Sequence, residues 1–136
     1  VFGGHYTNHY GNEDHPTITP SESSPTSALA RALSKRSFVS SGSIYKVAPL
    51  GPGTRVLLQG SISGQEPEPV AWTNVRAGGG RSFYTSLGHK GDFEQNEFRL
   101  LLANGIHWAC SQPLVTLDEI EQQRTRYAAG RGKQRP

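Results

Sequence analysis

Residues Pro69–Ala109 read PVAWTNVRAGGGRSFYTSLGHKGDFEQNEFRLLLANGIHWA. The first half is rich in β-branched and aromatic residues and is broken by Gly78-Gly79-Gly80. That pattern predicts two strands, Pro69–Val75 and Arg81–Leu87, joined into a hairpin by a glycine turn. The glycines are not a phosphate cradle, because the Walker lysine and hydroxyl are missing and a strand follows instead of a helix. In the second half Phe98, Leu101, Leu102, Gly105, Ile106 and Ala109 fall at helical spacing and predict one apolar face. Asn96 or Asp92 can cap that helix, and Glu94 and Glu97 suit its positive end. Between strand and helix stand Gly88 and His89. A glycine lets the backbone turn sharply, so the histidine is expected at the rim of the sheet and not in its core.

Outward from this stretch, SFVSSGSIYKV and RVLLQGSI predict strands near 43–47 and 55–60. PTITPSESSPTS, residues 16–27, reads as an exposed connection, and ALARAL as a short helical turn at best. The opening VFGGHYTNHYGNEDH reads as a strand end passing into a polar loop. TLDEIEQQRTRYAA predicts a second, more polar helix capped by Thr116. Strands followed by a helix on a mixed sheet make an α/β domain, a class in which ligands bind beyond the carboxyl ends of the strands.

At 136 residues the chain suffices for one domain with a real core. It opens at Val1 inside an apolar, glycine-containing run and lacks methionine, so it is expected to be the C-terminal part of a longer protein. The formal charge of +3 is unevenly placed. Arg124, Arg126, Arg131, Lys133 and Arg135 lie in an acid-free tail, leaving nine basic and eleven acidic side chains elsewhere. The tail is expected to be solvated, and with no aromatic pattern beside it no nucleic-acid partner is expected. Cys110 stands alone, which excludes an internal disulfide and a multi-cysteine zinc site; a buried structural thiol is expected. No apolar run approaches the roughly 18–20 residues of a membrane span.

Taken together, Pro69–Trp72, Gly78–Gly80, Phe83–His89 and Asn104–Ala109 resemble the ThuA-like (trehalose-utilisation) family. GGHYTNHYGN at 3–12 and GSIYKVAPL at 42–50 resemble that family's middle section. The likeness covers about residues 1–114 and implies the C-terminal part of a flavodoxin-like three-layer sandwich, related to class I glutamine amidotransferases. Its first strands would lie upstream, and 115–136 would form a polar helix and basic tail. The resemblance implies a role with a carbohydrate, a keto-sugar or glycoside of trehalose-type catabolism. In the amidotransferases a strand delivers a His, followed by Pro-Glu, to a cysteine nucleophile. Here Lys90-Gly91 follow His89 and Cys110 lies in a helix, so glutaminase chemistry does not carry over. Many relatives also carry His-Pro where this chain has Ser24-Pro25.

His89 is the leading catalytic candidate, since an imidazole titrates near neutral pH and can give or accept a proton. The competing reading is a rim histidine bonded to a loop carbonyl. Glu68 precedes the strand that pairs with the His89 strand and is the candidate carboxylate, preferred over Glu66 in the proline-locked loop before it. His5 is the third catalytic candidate. Tyr6, Asn8 and His9 suit polyol contact, and Trp72 is either a sugar platform or core packing. His5 and His9 stand at i, i+4, but flanking glycines argue against the helix a zinc motif needs. A metal would require Glu13, Asp14, His15 or His89 to converge with them. No cofactor is therefore expected, with zinc as the alternative. The expected partner is a small-molecule carbohydrate, and an open sheet edge favours homo-oligomers. The alternative function is a non-catalytic sugar-binding or interaction module.

Overall fold

Glycine and proline mark where the strands stop, and short links between them set how they pair. The computed structural model describes residues 2–11, 13–22, 28–33 and 37–131. Its elements run β1 Asn8–His9, β2 Thr17–Pro20, α1 Ala28–Leu33, β3 Phe38–Val39, β4 Tyr45–Lys46, β5 Thr54–Ser61, β6 Glu68–Val75, β7 Arg81–Thr85, α2 Asn96–Ala109 and α3 Leu117–Arg131. A 3-10 turn, Lys90–Glu94, precedes α2. Ser24-Pro25 and the tail from residue 132 lie outside the described residues.

The predicted hairpin is present. β6 and β7 pair from Ala71↔Thr85 to Val75↔Arg81, and Gly79, at φ 80, closes the turn with its N–H on the Arg76 carbonyl at 2.8 Å. The five-stranded sheet has the order β3-β2-β5-β6-β7, with β1 and β4 forming a separate ribbon. Every pairing among the described residues is antiparallel, where a mixed sheet was expected. The links 62–67 and 76–80 are too short for a parallel crossover, which takes about a dozen residues.

Residues 17–20 correct the sequence reading, for they are a strand inside the sheet and not a loose connection. Ile18 is 0% exposed and lies opposite Gly60 on β5. Prolines and serines dominate that segment, but the β-branched Thr17-Ile18-Thr19 run fits a pleated, buried surface once β5 lies beside it.

Both faces of the sheet are covered. Around Gly60, Ile18, Ile44 and Val70 meet on one face, and Gly4 lies against the Trp72 ring, so segments 2–11 and 42–50 form that cover. On the other face α2 brings Phe98, Leu100 and Leu101 to the core, with Gly105 against Phe83 and α1 beside it. The buried stripe of α2 is rotated from the expected one: Asn104 is buried and Ile106 is 52% exposed. Asn104 donates to the Val115 carbonyl at 3.0 Å and accepts from its N–H at 2.7 Å, which folds 110–116 back onto the helix. Cys110 stands at the C-cap of α2 and is exposed, contrary to the buried thiol expected. α3 begins at the predicted cap, where Thr116 and Glu119 bond each other reciprocally. Those bonds hold the Glu119 carboxyl below its ordinary range.

Candidate functional site

β7 ends where its hydroxyls turn inward on the neighbouring strand. Thr85 Oγ1 donates to the Val70 carbonyl at 3.0 Å and accepts from the Leu87 N–H at 3.2 Å. Gly88 then takes φ 137, a conformation side chains resist, and the chain leaves the sheet at His89.

The junction is held by one carboxyl group, that of Asp92, which is 0% exposed. Its Oδ2 accepts from the N–H of Gly88 at 3.0 Å and of His89 at 3.1 Å. Its Oδ1 accepts from the Ser41 N–H at 2.9 Å and from Ser40 Oγ at 3.0 Å. Strand end, 3-10 turn and the 40–42 loop thus share one anchor. His89 caps the 3-10 turn, its Nδ1 accepting from the Gly91 N–H at 3.2 Å, and its side chain is exposed. Gly42 passes so close that a β-carbon there would stand 2.9 Å from the His89 β-carbon.

Two clefts flank His89. One, of about 440 Å³, is lined by Gly42, Ser43, Tyr45, Thr85, Ser86, Leu87 and Gly88; the other, of about 390 Å³, by Glu13, His15, Ser41 and Gly42. In the larger cleft the wall residue Tyr45 is 38% exposed, and Tyr6 packs edge-on against it at 5.0 Å. Tyr84 lies behind them, stacked on Trp72 at 4.0 Å; burial, and then Tyr45, push its phenol above the ordinary value. A further recess of about 430 Å³, lined by Arg55, Thr73, Val75 and Trp108 among others, lies at the start of β5 and the end of β6, away from His89.

The sequence model of the ThuA family, described as trehalose utilisation, matches residues 1–109. The chain belongs to the ThuA family. Neither a curated protein nor a solved structure matches it. Trehalose utilisation is a carbohydrate-related role, and every residue around His89 lies inside the span that matches ThuA.

The expected site residues of this ThuA chain are only partly brought together. His89 lines the cleft, and Tyr6 packs on Tyr45 of its wall. β1 lies antiparallel to β4, with His9 opposite Tyr45 and Asn8 opposite Lys46. Asn8 Oδ1 accepts from the His9 N–H at 2.9 Å, and His9 Nδ1 donates to the Tyr10 carbonyl at 2.7 Å. His5 is exposed, and no hydrogen bond among the described residues ties it to His89 or Glu68. Glu68 is buried and turned elsewhere: its Oε2 accepts from the N–H of Val47 at 3.0 Å and of Ala48 at 3.2 Å. It also faces Tyr10, whose phenol is pushed up by burial and then by Glu68 and Glu66. Trp72 is 1% exposed, with its ring against Tyr84 and its indole N–H donated to the Phe2 carbonyl, which leaves no face for a sugar. No group of three or more His, Cys, Asp or Glu among the described residues could hold a metal ion. No helix among them is long and apolar enough to cross a membrane.

Sequence reasoning missed Asp92 as the anchor and Tyr45 as the aromatic wall. A carboxylate three residues past a rim histidine is the signal that could have found the first. For Tyr45 there was only the family-like GSIYKVAPL.

Proposed function

We propose that this ThuA chain processes a carbohydrate, a keto-sugar or glycoside, at the cleft between Ser43–Tyr45 and Thr85–His89, with His89 as the proton-transfer residue. The single observation that carries the reading is an exposed imidazole held at the rim of a cleft whose wall is a phenol ring. Hydroxyls of Ser43, Tyr45 and Ser86 suit polyol oxygens, and the Tyr45 ring suits the apolar face of a pyranose. The flavodoxin-like sandwich of the whole domain belongs to the same proposal and rests on the family likeness.

A second reading has its own support. Among the described residues no carboxylate bonds the His89 ring, and Glu68 is already engaged by two backbone N–H groups. A sugar-binding module without chemistry would look the same. Thermal-shift and turnover measurements with trehalose and keto-sugars separate the two. For an enzyme, His89→Gln keeps the melting temperature and lowers turnover roughly a hundred- to ten-thousand-fold, the usual weight of a general acid or base. For a binding module, Tyr45→Ala abolishes the sugar-induced shift while His89→Gln retains it. No shift with any sugar removes the carbohydrate altogether.

A further inference from the structure

A backbone N–H can only donate, and at His89 this decides where the ring proton sits. The Gly91 N–H reaches Nδ1 at 3.2 Å, so Nδ1 holds a free lone pair and the neutral ring carries its proton on Nε2. His9 and His107 are the reverse. Their Nδ1 atoms lie 2.7 Å and 2.6 Å from the carbonyl oxygens of Tyr10 and Pro113, which can only accept. The Gly91 N–H is itself set by the 3-10 turn, in which the Asp92 N–H bonds the His89 carbonyl at 2.8 Å. The Asp92 carboxyl in turn holds the N–H groups of Gly88 and His89 and ties them to Ser40 and Ser41.

We infer that His89 works at this cleft as a neutral hydrogen-bond donor through Nε2, aimed at an acceptor oxygen of the sugar such as a ketone carbonyl, and that Asp92 is the positioning residue that keeps it so. This rests on the carbohydrate reading above and replaces proton transfer at His89 by hydrogen-bond donation: the ring shares its Nε2 proton with the sugar oxygen and does not take one from it. A neutral N–H held against a carbonyl stabilises the negative charge that gathers on that oxygen during reaction, with little reorganisation. The same geometry disfavours a metal at His89, because a ligating imidazole keeps a bare nitrogen for the ion and donates the other N–H to an acceptor.

Long-range proton–nitrogen correlation spectra of the full ¹⁵N-labelled chain test this, with His89→Gln identifying the His89 signals. The expected result is the Nε2–H pattern for the neutral ring; an Nδ1–H pattern overturns the inference. In Asp92→Asn the amide oxygen still accepts but the NH2 cannot, so one of the two backbone pairs loses its acceptor, and the His89 signals should move toward averaged tautomers while the backbone amides stay dispersed. An unchanged His89 pattern in the folded variant overturns the role of Asp92. Should Asp92→Asn not fold, Ser40→Ala, which removes a donor to both carboxyl oxygens, is read in the same way. Trehalose and D-fructose are then titrated into the parent chain. A shift at His89 Nε2 supports the ligand; no shift with the tautomer intact overturns the carbohydrate reading and the ligand named here. The wrong tautomer together with sugar-induced shifts overturns this inference alone.

Discussion

Glu68 and Asp92 show how differently two buried acids in one small chain are used. Glu68 stands at the start of β6 and holds the Val47 and Ala48 N–H groups, so its work is to pin the 47–48 loop to the sheet. Glu68→Ala leaves the buried Val47 N–H without its partner and should cost about 1–3 kcal/mol, read from urea unfolding. Glu68→Gln, whose amide oxygen still accepts, should lose less. An Ala variant as stable as the parent would mean that these N–H groups find other acceptors and that the carboxyl is free for chemistry. Asp92 binds backbone on both sides of the cleft rim, which is why its effect is expected on the His89 ring as well as on stability.

α2 is seated by a small residue. Gly105 lies over Phe83 of β7 with no room for a β-carbon between them. In an exposed helix Gly→Ala gains about 0.5–1 kcal/mol from reduced backbone entropy. Here overpacking, about 1–3 kcal/mol, opposes that gain and should win, so Gly105→Ala lowers the melting temperature. A stabilised variant would show that the Phe83 ring yields freely and that the helix seat is loose. The periodicity that marked α2 was legible, but its buried stripe turned because Asn104 had Val115 to bond. α3 follows from the same turn: Leu117 and Ile120 pack on the core, and Arg99 reaches Glu121 at 3.1 Å.

Across the whole molecule the aromatic cover on the sheet makes stability sensitive to alkali. Tyr84 and Tyr10 hold their protons above the ordinary phenol value of 10.0, each chiefly through burial. An acid whose folded value is raised favours folding fully below its unfolded value, and that contribution is lost as pH rises through the folded one. The urea midpoint should therefore fall once pH passes 10.0, and Tyr84→Phe should remove part of the fall. An equal fall in that variant would clear Tyr84 of responsibility. The hairpin, α2, the α3 cap and the rim position of His89 were legible because each depends on neighbours within a turn or a few residues: strand composition, helical spacing, a capping pair, a glycine before the histidine. The strand at Ile18, the burial of Trp72, the Tyr45 wall and the Asp92 anchor were decided only by tertiary structure. Trp72 bonds Phe2 across 70 positions and Asp92 bonds Ser40 across 52, and no local pattern encodes which distant segments meet. The sequence by itself determined the family, the elements around the cleft and the histidine at its edge. Long-range packing determined which groups face that histidine, because burial and hydrogen bonding are settled only when the sheet brings separated segments into contact.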